Sequence, residues 1–192
     1  MTESFAQLFE ESLAIYTALD DKRNIASVTG ALGYSRMMAG HPEEARAAVT
    51  HAMELNTALG LRARANDNLF ALGLVSLLTG DIKSATQQGR QALVEARDIG
   101  DASRLLPRLN AVASLLGTTG HHEEALRIAG AVDRLRDVQG GMLALNPPEL
   151  EDPMSSARSS GMSETQIAAL MADGRSMELD AAVDYALRVL PM

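Results

Sequence analysis

The chain repeats itself at an interval of 40 residues. The segments ALGYSRMMAGHPEEARAAVTHAMEL from Ala31, ALGLVSLLTGDIKSATQQGRQALVE from Ala71 and AVASLLGTTGHHEEALRIAGAVDRL from Ala111 align without an insertion. Gly40, Gly80 and Gly120 coincide, as do Ala45, Ala85 and Ala125, and Gly60, Gly100 and Gly140. A period of this length marks a chain built from supersecondary units that cover one another's apolar faces.

Each unit reads as two helices. The first spans roughly 23–39, 62–79 and 102–119, the second 42–59, 82–99 and 122–139. Apolar and small residues recur at helical spacing, as in Leu69, Leu72, Gly73 and Ser76. Each glycine supplies the left-handed residue that stops a helix. His41, Asp81 and His121 follow at N-cap positions, and Glu43, Glu44, Glu123 and Glu124 fall in the first turn, where the helix dipole favours anions. Aromatics are 3% of the chain and Trp is absent, so the apolar mass lies in Ala, Leu and Met, which favours helix over strand. Short links between consecutive helices make antiparallel pairs. The fold class expected is all-α, an antiparallel helical-hairpin solenoid. Its domains would be repeats over 1–140 and a C-terminal helical cap over 141–192. The repeats divide into a half repeat over 1–21 and full repeats over about 22–60, 61–100 and 101–140.

The small residues have a packing reason. Gly33, Gly73 and Ala113 precede Ala45, Ala85 and Ala125 by the same distance, so they are expected to face each other where a hairpin closes tightly. Leu32-Gly33 and Leu72-Gly73, Ala45 and Ala85, and Ala52 and Ala92 resemble the tetratricopeptide repeat. Val112-Ala113, Ala125 and Val132 form its third copy. The resemblance covers residues 1–140. It implies that the first helices line a concave, partner-binding face, onto which Ser27, Gly30, Tyr34, Met37 and Met38, then Asp67, Phe70, Leu74, Leu77 and Leu78, and then Pro107, Asn110, Ser114 and Thr118 would project. Tyr34 and Phe70 would be its aromatic anchors. Such a face suits a protein or peptide partner or a small effector.

Phe5 to Leu19 reads as a second helix lacking its first. From this we expect a fragment or natural truncation, and a homodimer through the N-terminal helix that covers Phe5, Leu8, Phe9, Leu13 and Tyr16. After Gly140-Gly141 the period is lost and Asn146-Pro147-Pro148 signals a loop. A helix over 149–160, interrupted or started late by Pro153, one over 163–173 capped by Ser163 and stopped by Gly174, and one over 180–190 complete the chain. Ala129-Gly130-Ala131, Arg158 with Gly161, Gly174-Arg175, Met177, and Ala181-Ala182-Val183 with Ala186-Leu187 resemble the C-terminal helices of large bacterial LuxR-type regulators and related signalling ATPases. That resemblance implies a regulatory module. Glu178 departs from it, standing where those proteins tend to carry a Ser or Thr cap.

Charge and motifs narrow the function. Seventeen Lys and Arg against 25 Asp and Glu leave a net charge of −8, which lacks the basic footprint of a nucleic-acid binder. There is no Cys, hence no thiolate chemistry or Cys-ligated zinc. No apolar run nears the ~18 residues of a membrane span, and the setting expected is cytoplasmic. No G-x-x-x-x-G-K-[ST], G-x-G-x-x-G or G-x-S-x-G motif occurs. His121 and His122 read as a helix start, and Ser155, Ser156, Ser159 and Ser160 read as a polar face with no base beside them. The function expected is a non-catalytic interaction or regulatory module without cofactor or metal. The alternatives are a small-molecule effector-sensing domain and a self-assembling scaffold.

Overall fold

The computed structural model describes residues 2–138 and 150–191, and the side chains of 6–137 and 150–191. Among the described residues every regular element is helical. The order is α1 (Thr2–Ala18), α2 (Lys22–Met38), α3 (Pro42–Ala58), α4 (Arg62–Leu78), α5 (Ile82–Ile99), α6 (Ala102–Thr118), α7 (His122–Val138), α8 (Pro153–Ser159), α9 (Glu164–Arg175) and α10 (Leu179–Val189). None of these helices is long and apolar enough to cross a membrane.

The glycine lattice sets this rhythm. From α2 to α7 a new helix starts every 20 residues, and Gly40, Gly60, Gly80, Gly100 and Gly120 all have φ between +68° and +82°. Gly40, Gly60, Gly80 and Gly120 close their helices with the same pair of bonds, whereas Gly100 N bonds both the Arg97 and Ala96 carbonyls (2.9 and 3.3 Å). At the first turn Gly40 N donates to Met37 O (3.1 Å) and His41 N to Arg36 O (2.9 Å). That pairing satisfies two terminal carbonyls and reverses the chain. Asp20 takes the same role at the end of α1 with φ 50°, a conformation that Asp tolerates better than most side chains. Gly140 and the Asn146-Pro147-Pro148 loop lie outside the described residues.

The chain divides into two compact units at Gln88/Gly89, within α5. In the first unit α1 packs on α2, α2 on α3 and α3 on α4. Gly30 faces Ala52 and Gly33 faces Val49, pairs equidistant from the turn, so α2 and α3 run antiparallel. A Cβ at Gly33 would lie 2.6 Å from Val49 Cγ2 and 3.2 Å from Ala48 Cβ. The close approach thus falls one turn beyond Ala45, the partner expected for Gly33, and Ala45 is instead fully buried in the core. Val49, Ala71 and Leu72 form one apolar cluster, with Met53 against it.

In the second unit α6 packs on α7, and α9 lies along α7. This helix pair crosses at reciprocal glycines. A Cβ at Gly130 would collide with the Met171 carbonyl, and one at Gly174 with the Arg127 carbonyl. Gly174 therefore does not stop α9, which runs on to Arg175; it is the contact point of the helix. Pro153 starts its helix late and does not interrupt it: it stands in the first turn of α8, behind the Asp152 cap. Ser163 caps α9 as expected, in a reciprocal pair with Gln166, whereas Glu178 precedes α10 without a side-chain cap bond. Leu126, Ala157 and Ile167 form the apolar seam, flanked by Met154, Met162, Leu170 and Met171. Arginines fasten its rim: Arg127 to Asp173 (2.9 Å), Arg134 to Glu178 (2.7 Å), Arg175 to Asp133, and Arg90 to the Leu187 and Leu190 carbonyls (2.6 and 2.8 Å).

Candidate functional site

The first unit holds a groove of about 290 Å³. Its walls are α2, through Ala26, Ser27, Gly30, Ala31 and Tyr34, and α4, through Arg64, Asp67, Asn68 and Ala71; Asn56 of α3 contributes the remaining side chain. The groove exists because the residues facing it are small. Ala26, Gly30, Ala31 and Ala71 stand where longer side chains would close the space.

The lining is polar for a cleft between helices. Asn56 is 2% exposed and Asn68 8%. Asn56 Nδ2 donates to Asn68 Oδ1 at 2.8 Å, and Asn56 Oδ1 is buried without a partner among the described residues. An acceptor so placed costs about 1–3 kcal/mol until a donor reaches it. Asn68 Nδ2 lies 2.9 Å from the point that a Cβ on Gly30 would occupy, so the missing side chain at 30 makes room for that amide. Burial pushes the Tyr34 phenol above its ordinary value, so it remains an O–H group throughout the physiological range.

Four of the residues assigned by the resemblance to a concave face, Ser27, Gly30, Tyr34 and Asp67, line this groove together. The others do not. Met37 and Leu74 are 2% exposed and Ser114 is 3% exposed, so these three are core residues and not a contact surface. A helix buried on more than one side places apolar residues around most of its circumference, and Met37 and Leu74 fall on its packed sides. Met38 and Phe70 are partly buried and lie outside the groove lining, and Asn110 is a partly buried residue of the second unit. Asn56 and Asn68 were not among the residues expected from sequence. A signal existed in Asn66-Asp67-Asn68, since three such residues in a row disfavour a helix interior unless something there employs them.

Two other places carry polar or apolar chemistry. Ser156 has a base nearby after all: its Oγ lies 3.3 Å from His122 Nδ1. The same hydroxyl lies 3.0 Å from the Gly117 carbonyl, to which it donates, and it is buried, so the contact joins α8 to the α6–α7 turn. In the second unit a cleft of about 370 Å³ lies along α8 and α9, lined by Met154, Ile167, Ala168, Met171 and Ala172. Arg158, paired with Glu164 at 2.7 Å, and Arg175 edge it.

The described fold is an all-α array of consecutively packed helices with a polar groove in its first unit. No known family pattern matches the chain, and no curated protein sequence matches it.

Proposed function

We propose that the chain is a non-catalytic interaction and regulatory module that takes up an extended peptide in the α2–α4 groove. The observation that carries this reading is the convergence of Ser27, Gly30, Tyr34, Asp67 and Asn68 from the first helices of successive 40-residue units onto one cleft. The 20-residue helix rhythm and the Leu-Gly and Ala positions support a tetratricopeptide-like solenoid. The second resemblance supports placement at the C-terminal end of a bacterial signalling ATPase or transcriptional regulator, in a cytoplasmic setting. Its Ala-Gly-Ala and Gly-Arg elements supply the two glycines of the α7–α9 crossing.

A display selection with a random linear peptide library on the whole chain tests the proposal. Selected peptides are expected to lose at least about tenfold in affinity with Tyr34→Ala, a typical loss for a removed aromatic anchor, at unchanged helical content by circular dichroism. Peptides that bind Tyr34→Ala and Gly30→Ala as well as the parent chain, or a selection that returns none, would refute it.

One observation favours self-association as a second property. Leu8 and Ile15 of α1 and Leu19, in the turn that follows it, are 55%, 60% and 69% exposed. Of the stripe expected to be covered, Leu8 is exposed whereas Phe9, Leu13 and Tyr16 are partly buried; the Phe5 side chain lies outside the described residues.

A further inference from the structure

We propose that α8 is a redox-sensitive latch: hydroperoxides oxidise the methionines of the seam between α7, α8 and α9, and the sulfoxides release α8 from its seat. Sulfur chemistry in this chain falls to methionine alone, since there are 10 Met and no Cys. Three of them gather at one place. The seam of Leu126, Ala157 and Ile167 is flanked by Met154, Met162, Leu170 and Met171, and three of these four are thioethers. Met154 stands on α8, Met162 in the turn that follows it and Met171 on α9. Methionine packs such a seam as well as leucine does, but it adds a sulfur that oxidants convert.

Two of the three stand open to an oxidant. Met154 and Met171 line the cleft of about 370 Å³ along α8 and α9, and both side chains are partly exposed. Met37 is the contrast, 2% exposed in the core of the first unit. The thioether sulfur attacks one peroxide oxygen. An S–O bond forms as the O–O bond breaks, the sulfur is oxidised by two electrons, and the second oxygen leaves as water from hydrogen peroxide or as an alcohol from an alkyl hydroperoxide. The product is a polar sulfoxide on an apolar seam. The Leu126, Ala157 and Ile167 side chains offer its oxygen no donor, so it turns to water and draws the methionine off the seam.

This loosens α8 and spares α9. With seven residues α8 is too short to hold a helix by itself, and Met154 and Ala157 tie it to the seam. Its polar ties are few: Ser156 donates to the Gly117 carbonyl at 3.0 Å, and Arg158 pairs with Glu164 at 2.7 Å. α9 is kept on α7 by contacts that no methionine side chain supplies, namely the backbone crossing at Gly130 and Gly174 and the pairs of Arg127 with Asp173 and Arg175 with Asp133.

The whole chain is treated with hydrogen peroxide at neutral pH, the sulfoxides are located by peptide mass spectrometry, and amide hydrogen exchange is followed helix by helix. Met154 and Met171 should oxidise at least about tenfold faster than Met37, because oxidation follows access to the sulfur. In the oxidised chain the amides of α8 should exchange at least about tenfold faster than before, and those of α7 and α9 at their former rates. Methionine sulfoxide reductases acting on both epimers should return the protection of α8. The triple variant Met154→Leu, Met162→Leu, Met171→Leu, a swap that cores tolerate, should keep α8 protected before and after peroxide. Unchanged exchange in α8 once Met154 and Met171 are oxidised would overturn the proposal, as would Met37 reacting as fast as Met154. A release that the reductases do not reverse, or one that peroxide still causes in the triple variant, would overturn it equally.

Discussion

Glycine inside a helix has two different uses in this protein, and the same substitution separates them. At Gly30 the nearest obstacle to a Cβ is the tip of the Asn68 side chain, 2.9 Å away, which can rotate. At Gly130 the obstacle is the Met171 backbone, with the carbonyl carbon 2.9 Å and the Cα 3.0 Å from the Cβ position, and a backbone inside a packed helix cannot turn aside. Gly30→Ala should therefore leave stability unchanged or raise it by up to about 1 kcal/mol, the helix preference for Ala. Gly130→Ala should lower it by about 1–3 kcal/mol through overpacking. Urea unfolding of the two variants checks this, and midpoints moving in the same direction by similar amounts would contradict it. In sequence Gly30 was placed on the expected partner-binding face and Gly130 in the Ala-Gly-Ala element, but the Asn68 and Met171 contacts that decide these roles were not legible there.

At the scale of the element, helix starts carry the pH dependence. Asp21, Asp81 and Asp101 all stand just before a helix. The Asn24 backbone N–H, the Ser84 side chain and the Ser103 hydroxyl respectively are the main causes that hold each carboxyl below its ordinary range. The equivalent positions before α3 and α4 are His41 and Leu61, which make no side-chain cap bond. A carboxyl whose folded value lies below its unfolded value of about 3.9 stabilises the fold above that pH and ceases to as the pH falls through the folded value. The thermal midpoint should be flat from neutrality down to about pH 5 and then fall below about pH 4. Replacing all three residues by Asn, which also caps helices, should flatten the acid limb relative to the parent chain. An acid limb of the same steepness in the triple variant would assign the loss to other carboxylates.

At the scale of the whole molecule the expectation is self-association through α1. Exposed Leu8 and Ile15 lie seven residues apart, two turns along one stripe of α1, and exposed Leu19 follows in the turn just past its end. A stripe of this kind gains from a second apolar surface, and a symmetric pair places it against itself. Sedimentation equilibrium should show a concentration-dependent dimer that disappears when Leu8, Ile15 and Leu19 are all changed to Glu, at unchanged helical content. A parent chain that stays monomeric at high micromolar concentration would refute the interface.

From α2 to α7 the repeat, the helix boundaries and the chain reversals were determined by the sequence alone. Their causes are local: a glycine that accepts positive φ, a cap residue three positions before its N–H, and a small residue where neighbours meet. Six successive helix starts from Lys22 to His122 followed from that lattice to within a residue or so. What lies further apart in the chain was decided only by the tertiary structure. The register of α2 on α3 put Gly33 against Val49 and not Ala45, and the α7–α9 crossing turned Gly174 from a stop into a contact. It was likewise packing that brought Asn56 and Asn68 within 2.8 Å of each other with one oxygen left over, and that withdrew Met37, Leu74 and Ser114 into the core. Helical periodicity says which residues share a face. Which of those faces is covered, and by what, depends on how neighbouring helices are rotated and spaced, and that is fixed by side-chain volumes summed over elements that no local pattern connects.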